Sequence, residues 1–350
     1  MAAPSFLPSW LYTDSAIAQW EQRSYAHHFW HPIAAASQLL CGQVLAVELL
    51  GRSLLLTRAG NGDLKAFYNC CPHRGVALLE LQNQPRSCRK LVCPYHGWTF
   101  GLDGSLLAAA REASFESSFH REEWGLTSLL CQEDGPLIWV ALGERPVPLS
   151  QQLELIHREA PQLWFAPLRQ CSRIQQVLHC NWKIAHDNTL DDYHVAIAHP
   201  MTLHREQGPV RDYCYGFNDW SNLLSTPHPA GGAFLTFGLA PWTHVLIWPD
   251  GRLAMLEFLP LELQRCRLQL RLLAPQDYVV DADLWLQQLI QFLAEDRCLV
   301  ESAQIGYSHG FDPGPPHRLE KHILQWQDLY RRLLIADQGE AVLRSHAAIR

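Results

Sequence analysis

Positive charge is missing from the start of this sequence: Met1 to Trp20 contain no Lys or Arg, and no unbroken apolar core of the length a secretory leader needs. Export is therefore not expected. No apolar run along the 350 residues reaches the roughly 18–20 that a bilayer span requires, so the sequence reads as a cytoplasmic protein with no membrane partner. Charged residues are few, 18% against 48% hydrophobic, and nothing is polar enough for extended disorder. The net charge of -7 and the pI near 6.2 exclude a protein that coats phosphate backbones, so nucleic acid is not an expected partner. Internal repeats and low-complexity segments are absent. So is the cysteine density of a small secreted disulfide scaffold: the 11 cysteines are an odd number scattered from Cys41 to Cys298, and read as buried thiols or metal ligands.

At this length two domains are favoured over one core. The linker-like stretch near the middle, Gly143 to Pro148, carries Pro146 and Pro148 and separates two textures. From about His28 to Leu142, short apolar or alternating runs such as Val44 to Leu49, Ser53 to Thr57 and Leu137 to Leu142 alternate with turn residues, which predicts an antiparallel β domain. Beyond the boundary, helical patterns precede a strand-rich block from about Ala233 to Leu273, and helices follow. Such segregation is the α+β pattern. The clearest helix covers Asp281 to Tyr307, with Leu289, Phe292, Leu293, Leu299, Val300 and Ala303 at helical spacing and Gly306 and Gly310 as stop signals.

Two Cys/His pairs lie in turn-forming sequence of the β domain: Cys71-Pro72-His73 and Cys93-Pro94-Tyr95-His96. Two thiolates and two imidazoles suit either tetrahedral zinc or a Rieske [2Fe-2S] cluster, in which two His replace two Cys on one iron. Structural zinc usually draws on Cys-x-x-Cys and His-x-x-x-His units, whereas each loop here offers one Cys and one His, the supply a cluster bridged between two loops wants. Asn69 to Gly75 and Cys93 to Gly104 resemble the signature of the Rieske oxygenase family, with Cys70 where that family commonly has an aliphatic residue and a slightly longer gap between the loops. Respiratory-type Rieske proteins carry a further Cys just before the second loop's His. Tyr95 stands there, which implies the lower-potential oxygenase type.

A second site is expected between Asn181 and Pro200, where His194 and His199 lie among apolar residues with Asp191 three positions before His194. On a helix, Asp191 and His194 share a face, with Asp192 about 100° away as a bystander. His199 converges only if the helix widens or ends, and Pro200 favours an ending. Hydrogen-bonded core histidines account for the pair equally well when it stands alone. Two His and one carboxylate form the facial triad of non-heme Fe(II) oxygenases, so a third ligand is expected elsewhere. Asp296 falls on the apolar stripe of the long helix and Glu295 on its polar side. A carboxylate on a buried face needs a compensating charge, which selects Asp296.

The resemblance implies further assignments. An Asp ahead of Gln-x-Gly is the family's last iron ligand, matching Asp296 ahead of Gln304-Ile305-Gly306, and Asn188 and Asp191 match the Asn near the iron and the bridging carboxylate. It further implies a Rieske domain over residues 28–147, a helix-grip catalytic domain over 148–350 with residues 1–27 packed on it, and a head-to-tail homotrimer. A ferredoxin or flavin reductase would pass NAD(P)H electrons to the cluster, and from His73 or His96 through Asp191 to a neighbour's iron, where O2 and a small organic substrate meet. The leaning is toward the branch with choline and carnitine monooxygenases, acting by hydroxylation or demethylation on aromatic or quaternary ammonium substrates. A Rieske electron carrier without oxygenase activity is the alternative, and a zinc-stabilised binding protein a third reading. For the substrate, Trp242, His244, Leu246 and Trp248 share one face of an expected strand and are candidates to line the pocket; plain sheet packing explains the same alternation.

Overall fold

The computed structural model describes residues 5–81 and 84–339. The chain forms two compact units, one of Trp30–Pro146 and one of the described residues on either side of it.

In the first unit, seven strands form an antiparallel sheet in the order β1-β10-β9-β4-β3-β2-β5: β1 (Trp30–Ala35), β2 (Gln43–Leu49), β3 (Arg52–Arg58), β4 (Leu64–Tyr68), β5 (Arg86–Ser87), β9 (Ser128–Asp134) and β10 (Leu137–Ala141). Three short strands, β6 (Leu91–Val92), β7 (Thr99–Phe100) and β8 (Leu106–Ala108), make a second sheet. Strand period sorts alternate residues of β2 and β3 into two cores. Leu45, Val47, Leu54 and Leu56 join Ile138 and Val140. Val44, Ala46 and Leu55 join Phe67, Trp98, Cys71 and Cys93, so both cysteine loops are anchored to this second core. Gly104 has φ +87°, and a Cβ there would come within 2.4 Å of the Phe67 ring, so only glycine lets this loop close against the core.

The second unit is built on one seven-stranded antiparallel sheet, order β11-β17-β16-β15-β14-β13-β12: β11 (Leu168–Leu178), β12 (Cys214–Phe217), β13 (Ser221–Pro227), β14 (Ala233–Leu239), β15 (Thr243–Ile247), β16 (Leu253–Glu262) and β17 (Arg265–Pro275). β11 to β13 fall where the sequence pattern reads helical. Among the described residues β11 pairs on one side, with β17, and it carries Arg169, Gln170, Arg173, Gln175 and Gln176, so no apolar alternation marks it as a strand.

Four helices matter for the site: α1 (Ser15–Arg23), α2 (Trp182–Thr189), α3 (Ala282–Ser308) and α4 (Lys321–Gln338). Asp14, Asn181 and Asp281 cap the first three by accepting backbone N–H groups of the first turn. α2 packs on β16 and β17 and against α3, which also touches β11, while α4 lies on β13. α1 is fastened to α2 and α4 through one buried carboxylate. Glu21 accepts from Trp182 Nε1 at 2.7 Å and from the Tyr330 hydroxyl at 2.5 Å, and is paired with Lys183, whose side chain has no exposure.

Burial lowers the Lys183 pKa, and Glu21 opposes the shift. Glu21→Ala leaves that ammonium buried without its partner, and is expected to cost about 3–5 kcal/mol. The measurement is the urea midpoint of the second unit's unfolding, which should recover in large part in a Glu21→Leu, Lys183→Met double variant.

Candidate metal centres and active site

The two cysteine loops are one turn built twice. Cys71 N donates to Val76 O at 2.8 Å and Gly75 N to Cys71 O at 2.9 Å; Cys93 N donates to Trp98 O at 2.7 Å and Gly97 N to Cys93 O at 3.0 Å. Gly75 (φ +76°) and Gly97 (φ +70°) occupy the left-handed position that each turn requires. Asn69, just before the first loop, accepts from Leu78 and Leu79 N and donates to Ser53 Oγ and Leu79 O, which ties the loop to β3. Burial and the neighbouring Cys93 thiol push Cys71 up to about 11, against backbone N–H groups of His73 and Arg74 that favour the thiolate. The His73 and His96 rings stand 4.6 Å apart, His73 lies flat on Trp98 at 4.9 Å and 6°, and His73 Nδ1 is buried with no described hydrogen-bond partner. Two adjacent thiols, two adjacent imidazoles and an unpartnered ring nitrogen fit a [2Fe-2S] cluster of the mixed Cys/His type.

In the second unit, α2 ends at Thr189, and His194 and His199 flank a separate short helix, Val195–Ala198. The continuous helix expected from Asp191 to His194 is not formed. Asp191 Oδ1 instead accepts from Tyr193 N at 2.7 Å, an Asx turn that carries the chain off the helix axis. The turn still leaves Asp191 Oδ2 3.3 Å from His194 Nδ1, an ion-pair distance. Asp192 is no bystander either. It is buried, with Oδ2 3.4 Å from His322 Nδ1, and burial raises its pKa well above the usual carboxylate range.

His194, His199 and Asp296 each offer one donor atom, all within 4.8 Å of one another. His194 Nε2 lies 3.2 Å from His199 Nε2, and Asp296 Oδ1 is 2.9 Å from His199 Nε2 and 3.3 Å from His194 Nε2. Two imidazole nitrogens and one carboxylate oxygen, converging with nothing charged between them, suit a divalent metal with open positions. Burial alone would raise Asp296, but hydrogen bonds from His194, His199 and Asn188 carry it below the usual range. Glu295, expected on the polar side, takes the outer nitrogen of the same ring: His199 Nδ1 meets Glu295 Oε2 at 2.7 Å, and Thr202 Oγ1 donates to that oxygen at 2.7 Å. The helical period hid this. Consecutive positions of α3 straddle one imidazole, which no face argument within a single helix anticipates.

The cavity at the three donors is small, about 30 Å3, and includes Asp191, Asn188, Leu246, Leu203 and Phe292 in its walls. An outer depression of about 410 Å3 is lined by Asp191, Asn188, Tyr193 and His317 among others, so the two sites share Asp191 and Asn188. Of the four candidates on the aromatic strand only Leu246 reaches the cavity at the three donors. Trp242 and His244 do not line it. Trp242 packs edge-on against Trp182 at 5.3 Å beside Tyr25, and His244 Nε2 meets His186 Nδ1 at 2.7 Å, so both are spent on the helices that cover the sheet. Trp248 lines a separate cavity of about 280 Å3.

A model of the Rieske [2Fe-2S] domain matches residues 29–118, and one of the ring-hydroxylating alpha subunit catalytic domain matches residues 165–244. The chain thus carries, in order, matches to a Rieske domain and to a ring-hydroxylating catalytic domain. It is 31% identical to the carnitine monooxygenase oxygenase subunit of Acinetobacter pittii over 55% of its own length and 52% of the relative's. It is 35% identical to the chloroplastic choline monooxygenase of Beta vulgaris over 55% and 44%. It spans about half the length of the curated relatives it matches. Its fold is that of the quaternary ammonium Rieske monooxygenase CntA (TM-score 0.83, 24% identity, 94% of this chain and 95% of that one) and of naphthalene 1,2-dioxygenase (TM-score 0.79, 16% identity, 94% and 92%).

Two predictions follow from the donor geometry. Asp296→Ala should abolish metal at the second site, whereas Glu295→Ala should keep it with about 10–100-fold weaker affinity, because only the ring's orientation is lost. Anaerobic titration with Fe(II) distinguishes the two variants. The second concerns protons. Burial disfavours the charged His194 ring, but the Asp191 and Asp296 carboxylates overcome that and lift it to about 10, from an ordinary 6.5. That proton stabilises the metal-free protein fully below 6.5 and ceases to do so as pH rises through about 10. Metal binding between about pH 7 and 8 must therefore expel it. Calorimetric heats that change with the buffer's ionisation enthalpy are expected; heats independent of buffer would show that no proton leaves.

Proposed function

We propose that this chain is the terminal oxygenase component of a Rieske system, with a [2Fe-2S] cluster on Cys71, His73, Cys93 and His96 and Fe(II) on His194, His199 and Asp296. The observation that carries this reading is the convergence of two imidazoles and one carboxylate, in the same chain as the twin Cys/His turns. An electron carrier has no use for the second set of donors. Iron held there would supply O2 activation; the protein's own share is orientation and exclusion of water. Asp191 and Glu295 fix the two rings through their Nδ1 atoms, Asn188 steadies Asp296, and apolar Leu246, Leu203 and Phe292 keep the cavity dry. The reaction is hydroxylation or oxidative demethylation of a small organic substrate.

Electrons from NAD(P)H are supplied by a separate ferredoxin or flavin reductase, in a cytoplasmic homotrimer whose subunits sit head to tail. Among the described residues no helix is long and apolar enough to cross a membrane. Asp191 is the electron bridge. It touches His194 and lines both the metal cavity and the outer depression, so its carboxylate is reachable by a cluster His of a second copy.

Asp191→Asn keeps the shape and removes the charge, offering an N–H where an acceptor is wanted. The variant should retain both metals and a reducible cluster, yet oxidise that cluster at least about tenfold more slowly in a single turnover with O2 and substrate. Product carrying label from 18O2 in the unmodified chain tests the oxygenase reading itself. Its absence with every substrate of a broad aromatic and ammonium screen, both metals being present, would leave only electron transfer.

A further inference from the structure

The 280 Å3 cavity beside the metal site has walls whose chemistry no assignment above uses. Leu203 and Phe292 line it and the metal cavity alike, so these two side chains are the partition, and the Phe292 ring stands edge-on to His199 at 6.2 Å. Its volume is at the low end for a ligand pocket, which suits a small molecule.

Two tryptophans on its wall meet at a right angle, Trp248 and Trp285, with centroids 5.6 Å apart. Such a corner ordinarily favours a cation. Here it is already filled by the chain's own cation: the Arg252 guanidinium carbon lies 5.5 Å from the Trp248 centroid and 5.1 Å from that of Trp285. The hairpin turn between β15 and β16 fixes Arg252, since Asp250 accepts from its backbone N at 3.1 Å and its Nε at 2.8 Å. Nη1 and Nη2 are then left without a described hydrogen-bond partner. Trp248 Nε1 is committed to Glu206 Oε2 at 2.9 Å, which also meets His228 Nε2 at 3.0 Å. Trp285 Nε1 is different. The residue is 2% exposed, and its indole nitrogen is buried with no described acceptor.

A buried N–H without an acceptor retains its full desolvation cost, and a half-buried guanidinium fork with two idle nitrogens calls for an anion. A quaternary ammonium would satisfy neither and would meet like charge. Arg205 on the same wall adds to the positive side, outnumbering Glu206. We propose that this cavity binds the carboxylate end of a small organic acid, with Arg252 and the Trp285 N–H as its recognition pair, while the rest of the molecule reaches past Leu203 and Phe292 toward His194, His199 and Asp296. The substrate class rests on the oxygenase reading; binding of the acid does not.

The test is anaerobic calorimetry on the full chain, iron-loaded and metal-free, with benzoate, 3-phenylpropionate and hexanoate against benzamide and benzyltrimethylammonium. At least one acid should saturate with Kd below about 1 mM, and the amide and ammonium should bind at least about tenfold more weakly. Arg252→Gln should weaken the acid by at least about tenfold and Trp285→Phe by a smaller factor, with iron content and circular dichroism unchanged in both. Ammonium binding as tight as acid binding overturns the proposal. So does unchanged acid affinity in both variants, or failure of all three acids to saturate. If acid binding persists while no acid yields an 18O-labelled product, the acid is not the substrate and only the binding site stands; the oxygenase reading itself falls on the broader screen above.

Discussion

Two imidazole nitrogens 3.2 Å apart, each with a lone pair or a proton directed into the same space, repel unless a charge stands beside them. Asp296 is that charge, and the rest of the second unit is arranged to keep it there. Each ring is gripped twice, by Asp296 at Nε2 and by an outer carboxylate at Nδ1, Asp191 for His194 and Glu295 for His199. Because Glu295 and Asp296 are neighbours on α3, the helix must present both to one ring, which fixes its rotation as well as its height. Two contacts hold it so: Gln304 Oε1 accepts from Asn181 N at 2.7 Å and Glu301 Oε1 from His179 N at 3.0 Å, pinning α3 to the start of α2.

α2 is held from its other side by a second carboxylate. Asp187 Oδ2 accepts from the Tyr12 hydroxyl at 2.6 Å, and Oδ1 accepts from Trp326 Nε1 at 2.9 Å and Gln327 Nε2 at 3.0 Å. Burial pushes Asp187 up to about 7 although all three donors favour its charged form. The residue beside it is Asn188, which reaches Asp296. The N-terminal segment, α4 and the metal donors are thereby joined through adjacent positions of one helix, with Glu21 and Lys183 forming a parallel tie one turn earlier.

The residues that come together at the two candidate sites were legible in the sequence because their chemistry is local. Cys and His within a four-residue turn, or His ahead of Pro, leave little choice about where the side chains converge, and a carboxylate on an apolar stripe needs a reason to be there. What the sequence concealed depends on partners distant along the chain. β11 looks like no strand because its polar residues are tolerated at a sheet edge. Glu295 looks solvated because the ring it holds comes from 96 positions away. Trp242 and His244 alternate as a pocket wall would, yet which face of a central strand is covered by α2 is decided by tertiary packing alone. Gln304 had only a resemblance behind it; its physical reason is the backbone N–H of Asn181 that it accepts.

The length of α3 has a mechanical consequence. Trp285, in the wall of the 280 Å3 cavity, and Asp296, at the three converging donors, are eleven positions apart on one uninterrupted helix, about 16 Å of stiff rod, with Phe292 between them. A rod cannot lengthen to absorb a push at one end. A push at Trp285 is therefore carried along the rod toward Asp296 and Glu295 rather than absorbed between them.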